Sequence, residues 1–379
     1  MRICAVCSHP REVTSIDAPG LQLWPGGNVC DVKHALLALL LAAGVLFPGA
    51  VQGSSLAEHR TLVVSGQPVS VTVVRFSLSR YRIGVSLAGP HVADNAFLLD
   101  IAARARALCA INGTFLAAYT GETGEPYGTL VIQGKVLHLG AVGTRLDVFP
   151  SGRVRLTREG LQVRGALDGS YGYPANWYAY NINQTPSPGG TGAYLFTPER
   201  GRSLGFRAEM AIVVRQGHVV GLARGQDVSI PPDGFILVLQ GREVDVQGWK
   251  FGVGRRIEYQ VVYNGASLDA LYSLGAGPRL VEAGRVSVNP SAEGFQEAKI
   301  LSLRKARSAV GFTDAGEVLL VAMDRATVTE AAKVMRTLGA GEAMNLDGGA
   351  SSGLVCDGAY LVRPGRAVAN ALVLWPKER

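Results

Sequence analysis

Short valine-rich runs separated by glycine favour strands over helices along most of this chain. Of 379 residues, 48 are glycine and 47% are hydrophobic, enough apolar material for a large core. β-Branched residues fit a pleated surface, and glycine supplies the turns between strands. Residues 129–133 and 135–139 flank Gly134, residues 145–149 and 153–157 flank Pro150-Ser151-Gly152, and residues 208–214 and 218–223 flank Gln216-Gly217. Residues 234–240 are a further apolar run. Turns at roughly the 8–12-residue spacing of a meander or sandwich predict a β-rich middle segment over 116–306. Residues 117–127, which carry Glu122 and Glu125, and residues 184–193 read as long loops. Ser273-Leu274-Gly275-Ala276-Gly277-Pro278 reads as a glycine-rich turn.

Helical periodicity enters twice. After an expected hairpin of residues 69–78 and 80–87, residues 95–107 place Phe97, Leu98, Ile101, Ala102 and Ala105 at helical spacing, with Asp94 as N-cap. A short buried strand over 108–111 then ends at Asn112-Gly113. Residues 308–313 and 317–323 form another hairpin, residues 327–338 a helix closed by Gly339, and the next strand ends in Asn345-Leu346-Asp347-Gly348. Two strands, a helix and a strand ending in Asn-Gly or Asp-Gly therefore occur twice. This predicts an α+β fold of mixed β-sheets with flanking helices. Its core would be a pseudo-two-fold ββαβ arrangement, with both strand ends on one cleft. Residues 368–374, containing Asn370, read as a closing strand.

In a strand over 342–346 the period of two puts Ala343, Asn345 and Asp347 on one face and Met344 and Leu346 on the other. One face is core; the other presents an amide and a carboxylate. Gly348-Gly349 accept positive φ, and consecutive N–H groups with the Ser351 and Ser352 hydroxyls suit an oxyanion such as phosphate. A tight turn in which Asp347 caps its own backbone is the plainer alternative.

The formal charge is +7, with basic residues scattered along the chain. That favours anionic ligands or solubility, and with no aromatic-basic module it argues against nucleic acid. Residues 35–47 are apolar throughout, too short to span a bilayer but matching the hydrophobic stretch of a secretory signal. Residues 1–57 are thus expected to be a leader, either signal peptide or uncleaved anchor. Residues 58–379 would be one secreted or periplasmic domain, meeting a membrane only through that anchor. Cys4, Cys7 and Cys30 fall in the leader. Cys109 and Cys356 remain, with two buried thiols the commoner outcome and a disulfide the alternative in an oxidising compartment. His59, His91, His138 and His218 are isolated, so no zinc site is expected.

Several motifs, taken together and in order, resemble the phosphodiester glycosidase family: Ile111-Asn112-Gly113-Thr114-Phe115, Gly275-Ala276-Gly277-Pro278, Arg307-Ser308-Ala309-Val310-Gly311, residues 345–352, and Val368-Ala369-Asn370-Ala371. The resemblance covers roughly residues 60–376. Thr114 and Ala350 stand where that family usually has glycine, and positive φ at either would be disfavoured. The resemblance implies hydrolysis of a glycosyl phosphodiester, releasing sugar from a sugar-1-phosphate diester, with envelope or exopolysaccharide material as the expected substrate.

A phosphate ester leaves already ionised, so cations and N–H donors can do much of the stabilisation. Arg307 is the candidate phosphate contact, with Gly348, Gly349, Ser351 and Ser352 beside it; a solvated charge next to Arg304 and Lys305 is the alternative. Asp347 and Asp324 are the candidate catalytic carboxylates, the usual pair of glycoside hydrolysis. For Asp324 the alternative is an N-cap of the following helix, and Glu122 or Glu125 would have to swing in on their loop. Asn112, Gly113, Asn345 and Asn370 are assigned to substrate binding, unless the asparagines fix strand ends. No cofactor is expected, although Asp347 with Asp324 would suit a hard divalent cation. There is no G-x-S-x-G elbow and no motif histidine, which argues against a serine hydrolase. A non-catalytic glycan- or phosphate-binding protein of the same fold is the competing class.

Overall fold

The strand Gln67–Ser77 is apolar on both faces: Val69, Val71 and Val73 pack one way, Val74 and Phe76 the other. Such a strand belongs in the middle of a sheet with layers on both sides. In this computed structural model, which describes residues 57–377 except 118–123, 141–142 and 159, it does lie there. The described residues fall within one compact unit, Gly53–Arg379.

A seven-stranded antiparallel sheet runs in the order Ala57–Val64, Gln67–Ser77, Glu317–Ala326, Lys305–Phe312, Glu342–Asn345, Arg279–Glu282, Arg285–Val286. A five-stranded sheet runs Ala359–Val362, Leu354–Cys356, Cys109–Asn112, Asn370–Pro376, Tyr81–Leu87. These two share a central core with a third sheet built on Tyr272–Ala276, through Phe76, Ile111, Leu146, Leu274, Leu320 and Leu372 among others. The helix Val328–Thr337 covers the far face of the first sheet, and the helix Leu98–Arg104 that of the second. Two further sheets from residues 161–267 face each other over Trp177, Leu195, Ile212 and Leu237. The fold is therefore β-rich with sparse helices.

The glycine turns at Gly134, Gly152 and Gln216-Gly217 join paired strands as expected. The helix Val328–Thr337 starts at Thr327, whose hydroxyl accepts from the Glu330 N–H while Glu330 reaches back to the Thr327 N–H. Such a cap stabilises by about 1 kcal/mol.

Five expectations need correction. Residues 69–78 and 80–87 do not form a hairpin, because Gln67–Ser77 pairs with Ala57–Val64 and Glu317–Ala326 while Tyr81–Leu87 pairs with Asn370–Pro376 in another sheet. The two ββαβ units are not equivalent in pairing, although each contributes a helix-covered sheet. The first helix is shorter than expected and Asp94 does not cap it: Phe97 occupies the N-cap position, and the Asp94 carboxylate accepts from the His91 N–H at 2.8 Å. Ser273-Leu274-Gly275-Ala276 is strand, not turn. The bend falls at Gly277 (φ +99°), which precedes Pro278. Finally, Cys109 and Cys356 are joined. The register of Cys109–Asn112 against Leu354–Cys356 sets them directly opposite, Cα atoms 4.0 Å apart, and they form a disulfide. The expected leader lies almost wholly outside the described residues.

A link across 247 residues of sequence restricts the unfolded chain, an effect on the order of 2–4 kcal/mol. Non-reducing peptide mapping is expected to recover Cys109 and Cys356 as one linked pair, and Cys109→Ala/Cys356→Ala to lower the urea midpoint by a corresponding amount. Free thiols at both positions in the oxidised protein would contradict the bond.

Candidate functional site

Strand pairing delivers Asn112 to the loop that follows Asn345. Its Nδ2 donates to the Asp347 carbonyl at 2.7 Å, and its Oδ1 accepts from the Gly353 N–H at 3.1 Å and the Ser308 hydroxyl at 2.6 Å. The Asp347 N–H donates in turn to the Gly113 carbonyl at 3.0 Å. The two strand ends thus converge, as the sequence suggests. Asn112 itself is fully buried with both polar atoms committed to the loop, so it positions the site rather than offering a hand to a ligand. Gly113 has no positive φ; it is glycine because a Cβ there would overlap the Asn370 Oδ1.

Asn345 ends the strand Glu342–Asn345 and ties down the Gly277 bend, donating from Nδ2 to the Gly277 carbonyl at 3.0 Å. Its face of the strand is not open: Ala343 is buried beneath the helix, and only Asp347, beyond the strand end, keeps partial exposure. Asn370 accepts from the Thr114 N–H at 3.0 Å. Asn345 Oδ1, Asn370 Nδ2 and Ser352 Oγ are buried with no partner at hydrogen-bond distance, while the buried Ser351 hydroxyl faces the Asp347 carboxyl. Each unpartnered group costs about 1–3 kcal/mol, so several gathered around one loop mark a place built for something polar.

Burial lifts the Asp347 carboxyl to about 6, and this outweighs the Ser351 hydroxyl, the Gly348 N–H at 2.8 Å, and the charges of Arg366 and Lys299, all of which favour the ionised form. Arg307 adds a third cation. It is 3% exposed, which removes the solvated-charge alternative. Its Nε donates to the Ala326 carbonyl at 2.9 Å, and its Nη2 to those of Lys299 and Leu303, each at 2.7 Å. Burial pushes its pKa down to about 10, opposed by Asp347, so it stays charged at neutral pH. Only Nη1, beside Gly348, is oriented toward the loop. Arg307 therefore acts on the site mainly through its field.

Of the two glycines expected at positive φ, Gly348 is extended (φ −125°), and Gly349 alone has φ +63°, facing open space. Neither Thr114 nor Ala350 has positive φ, so these two replacements leave the backbone unstrained.

Asp324 is exposed, and its Oδ1 accepts from the Ser70 and Arg325 N–H groups at 2.9 and 2.7 Å. It does not cap the helix, a role held by Thr327. It lines a cleft of ≈ 480 Å³ with Gly349, Ser352, His59, Arg60 and Arg363, which Asp347 does not line. The two carboxylates expected as a pair thus do not share that cleft. Glu125 is not a swinging acid: it is buried, accepting from the Thr185 N–H at 2.7 Å and hydroxyl at 2.6 Å and pairing with Arg200. Glu122 lies outside the described residues. Among the described residues, no three His, Cys, Asp or Glu side chains group as a metal site. Lys299 and Arg366 escaped the sequence reading, since neither sits in a motif. His138, dismissed as isolated, is fully buried and held neutral, its pKa pushed down to about 4 by desolvation.

A half-buried acid of raised pKa thus stands amid three cations at the meeting of two strand ends. A sequence model of the phosphodiester glycosidase family, a hydrolase family by its name, matches residues 208–375. Among solved structures, a hypothetical protein from Synechocystis aligns at 24% identity and TM-score 0.75, covering 85% of this chain and 62% of that one. A candidate exported protein from Burkholderia pseudomallei K96243 aligns at 23% identity and TM-score 0.63, covering 82% and 74%. Both are likenesses of fold. The zebrafish N-acetylglucosamine-1-phosphodiester alpha-N-acetylglucosaminidase catalytic domain, auto-inhibited by its pro-peptide, aligns at 14% identity and TM-score 0.47, covering 86% and 85%. No curated protein matches.

The raised pKa of Asp347 carries a sign for stability. The native carboxyl titrates near 6 and the unfolded one near about 4, so between these values the native state binds more protons. Stability contributed by the protonated acid is therefore lost as pH rises through that window. Asp347→Asn is expected to be more stable than the parent at pH 7.5, by about 1–3 kcal/mol, with the gap closing toward pH 4. Urea unfolding at the two pH values measures this, and a gap independent of pH would refute it.

Proposed function

We propose that this protein hydrolyses a glycosyl phosphodiester, with Asp347 as the general base. The observation that carries the reading is the Asp347 environment: a carboxyl titrating near 6, flanked by Arg307, Arg366 and Lys299, with the Ser351 hydroxyl alongside. A base with pKa near the working pH is the efficient kind. Asp347 takes a proton from water as its oxygen bonds to the anomeric carbon. The C1–O bond breaks with its electron pair passing to the phosphate, leaving free sugar and a phosphomonoester. The leaving oxygen needs no acid because charge is already spread over the phosphate, and the nearby cations stabilise it. Asp324, in the neighbouring cleft with Arg60 and Arg363, is proposed to bind substrate beyond the phosphate.

The proposed substrate is envelope or exopolysaccharide material, met by a secreted or periplasmic protein after the residues 1–57 act as leader. No helix among the described residues is long and apolar enough to cross a membrane. A non-catalytic binder would draw support from backbone distortion at Thr114 or Ala350, and neither position has it.

Incubation with sugar-1-phosphodiesters is expected to release free sugar, with kcat/KM rising through pH 6 as Asp347 ionises. Asp347→Asn should lower kcat by about 10²–10⁴-fold and abolish that limb of the pH profile. Saturable binding without product across a substrate panel would favour the binder.

A further inference from the structure

We infer that the face formed by residues 173–180 and 242–250 is a separate binding platform for a neutral, extended polysaccharide. Its strand, Asn176–Ala179, belongs to a different sheet from those that bear the Asn112 and Asp347 strand ends, and residues 242–250 are helical. Tyr173 is 82% exposed, Trp249 61% and Tyr180 51%, a concentration of open aromatic rings that a soluble surface seldom shows without use. The rings are held in place. Trp249 Nε1 donates to the Val246 carbonyl at 3.1 Å. Lys250, fixed by its bond to the Asn176 carbonyl at 2.7 Å, has its ammonium 5.8 Å from the Trp249 ring centre and 5.9 Å from that of Tyr173. Tyr178 and Tyr180, ring centres 5.4 Å apart, both hydrogen-bond Glu243. Rings ordered before binding lose little entropy on contact.

Chemistry narrows the occupant. Arg242 and Lys250 are balanced by Glu243 and Asp245, so the patch has no net charge to attract nucleic acid or anionic lipid. The edge strand Asn176–Ala179 is closed to strand addition by a protein, because Gln247 bonds both the N–H and the carbonyl of Tyr178 and Lys250 takes the carbonyl of Asn176. What remains is flat ring faces with negative π density, bordered by hydroxyls and amides. This matches a sugar ring, whose axial C–H groups form an apolar face with hydroxyls at its rim. Asn176 Oδ1, buried and without a partner, is an acceptor for one of those hydroxyls.

The test is co-sedimentation with microcrystalline cellulose and with insoluble chitin, at low and high salt. The protein is expected to pellet with at least one of them, independently of salt. Trp249→Ala should weaken binding at least about tenfold and Trp249→Phe much less. Circular dichroism should be unchanged by these exposed substitutions, and so should turnover of a small soluble sugar phosphodiester where the parent has it; binding is scored whether or not turnover is found. Failure to pellet with either polymer, or equal pelleting by Trp249→Ala, would overturn the platform. Self-association in sedimentation velocity that Trp249→Ala removes, without polymer binding, would overturn it in favour of a contact between copies.

Discussion

A single buried carboxamide holds the Asp347–Gly353 loop in register. Asn112 bonds the carbonyl at one end of the Asp347–Gly353 segment and the N–H at the other, and its oxygen also takes the Ser308 hydroxyl. Each such bond contributes about 1 kcal/mol net, but removing the amide would also strand three buried partners at about 1–3 kcal/mol apiece. The position of the acid therefore depends on the end of a strand more than 200 residues away in sequence. The motifs that carry the family resemblance serve largely as this frame. Gly113 clears space for Asn370, Asn345 fixes the Gly277 bend, and Ser308 completes the coordination of Asn112.

What could be read from the sequence was what local chemistry decides. Glycine turns, the Thr327 cap and the alternation around Met344 and Leu346 each involve residues a few positions apart, and each holds in the structure. The misread hairpin at residues 69–87 shows the limit. Both of its strands are real, but Gln67–Ser77 buries two apolar faces and is claimed by Glu317–Ala326, a partner no local pattern announces. The disulfide was open for the same reason, since only the register of two distant strands puts Cys109 opposite Cys356.

At the site, the residue types were legible and their duties less so. Arg307 sits in a basic stretch that reads as surface. Its burial depends on carbonyls from Lys299, Leu303 and Ala326 wrapping the guanidinium, which recovers much of a desolvation cost of several kcal/mol. Lys299 and Arg366 carry no motif and become relevant only because the fold brings their charge to Asp347.

The balance at Asp347 couples binding to chemistry in the proposed reaction. Desolvation already outweighs four favourable influences and holds the carboxyl near 6. An incoming phosphodiester adds a negative charge and displaces water, and both effects raise the proton affinity of the carboxylate further. Substrate binding thus strengthens the base at the moment a proton must be taken from water. The same anion meets Arg307, which at a pKa of about 10 remains charged, together with Lys299 and Arg366. As the C1–O bond lengthens and charge builds on the phosphate, attraction to these cations grows. They therefore favour the transition state over the bound ground state, which is the condition for raising kcat and not only affinity.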